Sequence, residues 1–237
     1  MRKYKIHHHA SVMIIPSKKN SEFLLDIYDG TYPKKSYRGK AHLIGGSNCE
    51  EDFSPRGLLE REIKEEFSQI QEETGFDKNL EDLVGKGSPP KKIENFASKK
   101  DIRFIRGAIL KNSVTYQDFF VKIPQDGSRP QYDVIYSVYL TNLNSGVFEI
   151  IRENLNFGKS IKNEGFPRII NINKLKKGNP LTAAATGLII GYFLKTHLPN
   201  PELIVFAPLG KPRDSFSEYL IEFEYKNPVK QTLLNKE

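Results

Sequence analysis

Two adjacent glycines, Gly45 and Gly46, end a short apolar segment and lead through an acidic loop into a strongly signalled helix. Ser54 is a favoured N-cap residue, and Pro55 suits the first helical position because no N–H partner is needed there. The apolar residues recur with a helical period: Leu58, Leu59, Ile63, Phe67 and Ile70. Gly75 is a favourable stop. The pattern therefore predicts a helix that packs one face against a core and begins shortly after the glycines.

Most of the remaining elements are predicted to be strands. Short β-rich segments bounded by turn residues lie at 10–16, 22–28, 41–44, 102–110, 118–123, 134–143, 166–170, 203–209 and 219–225. The fifth and sixth of these are separated by a turn and predict a hairpin. Two further helices are predicted, a short one at 148–155 and a long, well-buried one at 181–198. This order predicts an α/β (α+β) fold with a mixed sheet sandwiched by helices.

Composition narrows the classes of partner. A chain of 237 residues can bury a real core, and we expect a single domain over residues 1–237. The net charge of +7 and pI near 9.2 favour anionic partners, although a lysine-rich composition alone is the alternative. The single cysteine, Cys49, leaves no internal disulfide and suits a reducing cytosol. No apolar run reaches the roughly 20 residues that span a bilayer, so we expect a cytoplasmic protein without membrane contact.

Three carboxylates lie close together on the first predicted helix. With Glu62 set at zero, Glu66 lies near 40° and Glu65 near −60°, an arc of about 100°. Glu62 and Glu66 are separated by about 6 Å along the axis, so their side chains can converge on one cation or on two adjacent ones. Packed carboxylates repel each other, and Mg²⁺ or Mn²⁺ relieves that repulsion with oxygen coordination. The alternative is a solvated acidic face with Arg61 and Lys64 as partners.

These residues resemble the signature of the Nudix hydrolase family. That signature is a glycine, five residues, a glutamate, seven residues, then Arg-Glu-apolar-any-Glu-Glu-any-Gly-apolar. The chain supplies Gly46, the Ser54-Pro55 helix start and the run Arg61-Glu62-Ile63-Lys64-Glu65-Glu66, and its Leu-Ile-Gly-Gly is similar to the family's Leu-Pro-Gly-Gly. The resemblance covers about residues 8–200. It implies a Nudix-like α/β/α sandwich, with 77–100 as a possible loop insertion and 200–237 as a C-terminal extension.

The signature departs from the family pattern in its loop. Fifteen positions separate Gly46 from Arg61, one more than in the family. The loop acid that supports the arginine in the family therefore corresponds to Glu50, Glu51 or Asp52, and the latter two are favoured.

The signature also departs from the pattern at its end. No glycine follows the glutamate pair, and a Glu-Glu-any-Gly-apolar ending appears seven positions later, at residues 72–76. An insertion of seven residues would lengthen the helix and keep its faces nearly in register. Glu73 lies about 16 Å from Glu62 along the axis, too far to share a cation. The earlier pair, Glu65 and Glu66, is therefore the predicted metal-binding pair.

The resemblance implies a role for each matching residue. Glu62 and Glu66 would ligate the metal directly, Glu65 directly or through water, and the Gly45 carbonyl would complete the shell. Arg61 would orient the carboxylates. The implied reaction is attack of a metal-activated water on a pyrophosphate linkage in a nucleoside diphosphate derivative, with Mg²⁺ or Mn²⁺ as cofactor.

Residues outside the signature are less constrained. Glu164 is a candidate general base, with an ordinary exposed loop glutamate as the alternative. Arg38 and Lys40 are candidates for substrate contacts together with Gly46, with solvated loop charges as the alternative.

Two other functions compete with hydrolysis. The altered loop spacing favours a catalytically degenerate Nudix-like module that binds a nucleotide or an RNA end. The basic balance favours an enzyme acting on capped RNA, but the lysines form only small clusters along the sequence and no aromatic-rich basic stretch is present. A homodimer is possible, and residues 200–237 could add strands, cover the site or form a dimer contact.

Overall fold

The computed structural model describes residues 8–28, 32–33, 35–67, 99–123, 132–155, 165–177, 184–198, 205–216 and 218–219. Within these ranges the strands are β1 (His8–Pro16), β2 (Glu22–Tyr28), β3 (Ala41–His42), β4 (Ile44–Ser47), β5 (Ser113–Ile123), β6 (Tyr132–Thr141), β7 (Gly165–Asn171) and β8 (Val205–Gly210). The α-helices are α1 (Pro55–Glu66), α2 (Lys99–Lys111), α3 (Ser145–Leu155), α4 (Ile172–Lys176) and α5 (Ala184–Leu194). A 3₁₀ turn spans Lys35–Tyr37.

Strand β1 is the centre of one eight-stranded mixed sheet. One edge of β1 pairs in parallel with β6, and β6 continues through antiparallel β5 to β8. The other edge of β1 is divided: its first half pairs with β4, and its end pairs with β2 at Ile15 and Leu24. Strand β2 in turn pairs with β3 and with β7. The divided edge places β4, which carries the two glycines, directly beside the central strand.

Helices cover both faces of the sheet. Successive residues of a strand point to opposite faces, and alternate residues of β1 enter two different cores. Val12 and Ile14 pack with Ile189 and Ile190 of α5. On the other face, Met13 and Ile15 pack with residues of α1, α2 and α3, among them Leu59, Ile63, Ile105, Ile109, Phe148 and Ile151. The predicted α/β fold with a mixed sheet between helices is confirmed.

One predicted strand is wrong. Residues 102–110 form most of α2, a helix that runs from Lys99 to Lys111. Ile105 and Ile109 are fully buried, whereas Phe104 is half exposed. The buried positions are therefore four residues apart, which is the period of a helix and not the two-residue period of a strand. A short apolar run rich in isoleucine and phenylalanine does not distinguish the two periods, and packing against α1 and α3 decides for the helix.

The first helix begins as predicted and ends early. Ser54 caps it, with its hydroxyl accepting a hydrogen bond from Gly57 N at 3.0 Å, and Pro55 is its first residue. It ends at Glu66 with Phe67 as the C-cap, not near Gly75. The displaced glycine ending at 72–76, like the possible insertion at 77–100 up to residue 98, lies outside the described residues.

The other predicted elements are found with shifted bounds. The hairpin of β5 and β6 is antiparallel over its whole length, and the strand at 203–209 corresponds to β8. The strand predicted at 219–225 is not found at Tyr219, which has helical conformation, and its remainder lies outside the described residues. Among the helices that the structure describes, none combines the length and the apolar character needed to cross a membrane.

Candidate functional site

The two glycines of β4 allow two close approaches that a side chain would prevent. Gly45 lies opposite Val12 of β1 with φ of +126°, a conformation that L-residues rarely adopt. A Cβ added to Gly45 would overlap the backbone carbonyl of Ser11. A Cβ added to Gly46 would instead overlap the carboxylate of Glu62. Gly45 therefore lets the backbone approach β1, and Gly46 makes room for a helix carboxylate.

Helix α1 is oriented so that its carboxylates reach these glycines. Leu58, Leu59 and Ile63 are fully buried against the sheet. Residues four positions apart share a face, so Glu62 and Glu66 are presented together beside this apolar stripe. Glu66 Oε1 accepts a hydrogen bond from Gly45 N at 2.9 Å. The carboxylates of Glu62 and Glu66 thus lie against two consecutive residues of β4.

Arg61 connects the loop to the helix carboxylates. Its Nε and Nη2 donate to Asp52 Oδ1 and Oδ2 at 3.2 and 3.0 Å, a two-pronged contact. Its Nη1 lies 2.8 Å from both Glu62 Oε1 and Glu65 Oε2. Its Nη2 also donates to Ser47 O at 3.1 Å. The structure therefore selects Asp52 among the three loop acids, since Glu50 and Glu51 are exposed.

The ion pair of Asp52 and Arg61 is held in its charged form. Burial by itself would raise the pKa of Asp52, but hydrogen bonds from Arg61 and Cys49 prevail and leave it below its ordinary value. The hydrogen bond to Asp52 raises the pKa of Arg61, and the neighbouring Glu62 adds to this. Cys49 N donates to Asp52 Oδ2 at 2.9 Å, so the acid is fixed from its own loop as well. The arginine therefore stays charged and oriented.

The three glutamates differ in exposure and in what they contact. Glu65 is 53% exposed and lies on the solvent side of Arg61, whereas Glu62 is 14% exposed and faces Gly46. Among the described residues, no three His, Cys, Asp or Glu side chains are grouped so as to hold a metal ion as they stand.

The donor set nevertheless fits a small divalent cation. Magnesium usually takes only one or two protein carboxylates and completes its octahedron with waters and substrate phosphates. Glu62 and Glu66 supply two carboxylates at adjacent positions of one short segment, Gly45-Gly46. Carboxylate oxygens are the ligands that Mg²⁺ and Mn²⁺ prefer. Glu62 and Glu66 are thus the side chains best placed to hold such an ion, with Glu65 farther out.

Two of the predicted residues outside the signature, Arg38 and Lys40, contact aromatic residues of their own loop. Arg38 is exposed and donates from Nε to Tyr32 O at 2.7 Å. Lys40 lies with its ammonium 5.5 Å from the centre of the Tyr37 ring. Glu164 lies outside the described residues.

A buried polar cluster, which no sequence pattern predicted, lies beside the loop between β4 and α1. His9 Nε2 lies 2.8 Å from Ser137 Oγ, which lies 3.1 Å from Tyr219 OH. Tyr219 OH donates to Asp118 Oδ2 at 2.7 Å. These four residues come from β1, β5, β6 and the C-terminal segment, and no local pattern connects them.

The cluster is linked to the loop through the backbone. His9 N donates to Asn48 Oδ1 at 3.1 Å, and Asn48 N donates to His9 O at 2.8 Å. Near the loop's other end, Phe216 N donates to Phe53 O at 3.2 Å. The loop that carries Asp52 is therefore held on two sides, and this limits the freedom of the arginine that Asp52 orients.

Comparison with known proteins does not assign the chain to a family: no protein-family model matches it, and a search of curated proteins found no match.

Proposed function

We propose that this protein is a divalent-metal-dependent hydrolase that cleaves a pyrophosphate linkage in a nucleoside diphosphate derivative. The observation that carries the proposal is the placement of the Glu62 and Glu66 carboxylates against Gly45-Gly46, with Arg61 held beside them by Asp52. The resemblance of this segment to the Nudix signature supports the same reaction. The basic net charge of +7 suits a substrate of phosphate groups.

Each residue has a distinct task in the proposed reaction. Glu62 and Glu66 would hold Mg²⁺ or Mn²⁺, and the bound ion would supply a more acidic water and neutralise phosphate charge. Arg61 pairs with Glu62 and Glu65 and orients both carboxylates, because its own geometry is fixed by Asp52. Gly46 leaves open the space that the Glu62 carboxylate occupies.

A hydrolysis screen with product identification tests the proposal. The protein is incubated with Mg²⁺ or Mn²⁺ and a panel of nucleoside diphosphate sugars, dinucleoside polyphosphates and nucleoside triphosphates, and the products identify the bond that is cleaved. Glu66→Gln keeps a carbonyl acceptor for Gly45 N but removes a charged metal ligand, so turnover should fall at least about 100-fold while the fold remains intact.

Glu60→Gln is the matched control. Glu60 lies on the same helix, is paired with Arg56 at 3.1 Å and is 45% exposed. Its replacement should change the rate less than about twofold. Equal turnover in wild type and Glu66→Gln would show that Glu66 has been assigned wrongly, and no metal-dependent cleavage of any substrate would refute the proposed activity.

A binding module is the second candidate function. The ion pairs of Arg61 with Glu62 and Glu65 favour it, because they already balance part of the acidic charge that a cation would neutralise. Such a module would bind a nucleotide or an RNA end without releasing phosphate. Equilibrium dialysis beside the hydrolysis screen separates the two, since binding without cleavage supports the module.

A further inference from the structure

Five lysines that are dispersed along the sequence lie at one end of the folded sheet. Lys18 and Lys19 are in the turn between β1 and β2, Lys176 and Lys177 are at the end of α4, and Lys195 directly follows α5. All five are exposed. We call this group the lysine end.

Three contacts show that these segments meet. Strands β2 and β7 pair with Glu22 opposite Asn171, so the β1–β2 turn lies beside the start of α4. Ile172 N donates to Ser21 O at 2.9 Å and joins the two segments directly. The last turn of α5 also lies here, because the Phe193 ring packs edge-on against Phe23 with ring centroids 6.3 Å apart.

The acidic side chains described near this end are neutralised in part by an arginine. Arg152 of α3 lies 2.6 Å from Glu22 Oε2 and 2.8 Å from Glu149 Oε2. Both carboxylates are therefore directed to Arg152. Arg152 offsets one of these two negative charges, and the five lysines are exposed, so the described side chains of the lysine end carry an excess of positive charge.

The lysine end is separate from the candidate site. Gly45 pairs with Val12, and the β1–β2 turn begins at Ser17, five residues farther along β1. At the rise of a β-strand this is about 17 Å. A ligand at the lysine end would therefore be additional to a small substrate held at Glu62 and Glu66.

We propose that the lysine end binds the sugar-phosphate backbone of a nucleic acid without reading its bases. Lysine ammonium groups are compact point charges that bind phosphate groups without requiring one fixed orientation, which suits a repeating sugar-phosphate backbone. The five lysines come from three segments, so they can contact several phosphates at once. Of the exposed aromatic side chains among the described residues, Phe53 and Phe104 lie in other segments, and Tyr192, in the last turn of α5, packs its ring against Phe119 and Phe206 of β5 and β8.

Salt dependence of binding to a fluorescent 20-mer of oligouridylate tests the proposal. Five phosphate contacts on a single strand predict a slope of about −3.5 for log K against log salt, which is about a 100-fold loss of affinity between 50 and 200 mM salt. The variant Lys18→Gln/Lys19→Gln/Lys176→Gln leaves two contacts, and its loss over the same range should be only about sevenfold. At 100 mM salt it should bind more than about tenfold more weakly than wild type.

A matched variant removes the same charge elsewhere. Arg103→Gln/Lys122→Gln/Lys211→Gln also lowers the net charge by three and should keep the wild-type slope. Equal weakening in both triple variants would show that net charge alone is responsible and would overturn the proposal. Undetectable binding to the wild type at 50 mM salt would overturn it as well.

Two further measurements distinguish nucleic-acid binding at the lysine end from binding of an acidic polypeptide and from an effect on the candidate site. Excess DNA duplex should compete with the oligonucleotide, whereas polyglutamate of equal charge should compete much more weakly. Equal competition by polyglutamate would overturn the assignment to a sugar-phosphate backbone. Nucleotide hydrolysis should be unchanged in the lysine-end variant. If the wild type hydrolyses no nucleotide, the oligonucleotide result still decides the lysine end by itself.

Discussion

Replacement by alanine should have different effects at the two glycines of β4, on metal affinity at Gly46 and on stability at Gly45. Gly46→Ala places a methyl group where the Glu62 carboxylate lies, but Gly46 does not have a positive φ, and the obstructing group is the end of a flexible side chain. The Glu62 side chain can therefore adopt another rotamer at a small cost in free energy. We expect Gly46→Ala to retain the fold while it displaces a proposed metal ligand.

The expected magnitudes follow from what each methyl group meets. For Gly46→Ala the free energy of unfolding should change by less than about 1 kcal/mol, which is a melting-temperature shift below about 4 °C. Gly45→Ala meets the Ser11 carbonyl of the central strand at a φ of +126°. Backbone strain of about 1–3 kcal/mol and the displaced strand together should lower the melting temperature by roughly 10 °C.

Differential scanning calorimetry and Mn²⁺ titration calorimetry provide the two readouts. Gly46→Ala should melt like wild type and bind Mn²⁺ about 10- to 100-fold more weakly. In a Glu62→Ala background the same substitution should cause no further loss of Mn²⁺ affinity, because the displaced group is already absent. Wild-type Mn²⁺ affinity in Gly46→Ala, or a loss of stability as large as that of Gly45→Ala, would refute this reasoning.

The remaining predictions concern acid stability. Hydrogen bonds from Arg61 and Cys49 outweigh burial and keep the pKa of Asp52 below 3.8, so its ion pair stabilises the folded state above that pH and is lost as the pH falls through the lowered pKa. Urea unfolding between pH 2 and 5 should show a shallower acid limb in Asp52→Asn, and an equally steep limb would contradict the assignment. Burial lowers the pKa of His9 from 6.5 to about 3. As the pH falls, His9 therefore takes up a proton in the unfolded chain before it does so in the folded protein. Unfolding free energy should therefore drop by about 2 kcal/mol between pH 7.5 and pH 5, and His9→Gln should remove that drop; the same slope in both proteins would exclude His9 as its source.

Local chemistry predicted the start of α1 correctly. The Ser54 cap and Pro55 act within one helical turn, so a few neighbouring residues suffice to predict them. The end of α1 at Glu66 was not predicted, because Gly75 is a favourable C-terminal residue and nothing in the local sequence at Phe67 indicates an earlier end. The strand predicted at 102–110 failed for a similar reason, because packing of Ile105 and Ile109 against two other helices decided the conformation.

The candidate site, too, was only partly predictable from the sequence. Helical spacing alone predicted that Glu62 and Glu66 share a side, because the helix period is the same in every context. It also grouped Glu65 with them, whereas in the structure Glu65 is largely exposed and pairs with Arg61. The sequence left Glu50, Glu51 and Asp52 open and favoured the latter two, and the folded loop selected Asp52.

The sequence by itself determined the helix that carries the carboxylates, the two glycines before it and the alternation that gives a sheet with helices on both faces. Tertiary structure alone decided that Gly45 and Gly46 lie between β1 and α1, that His9 meets Tyr219, and that distant lysines share one end of the sheet. The physical reason is range: capping and periodicity involve neighbours along the chain, whereas strand register and side-chain packing depend on residues that only folding brings together.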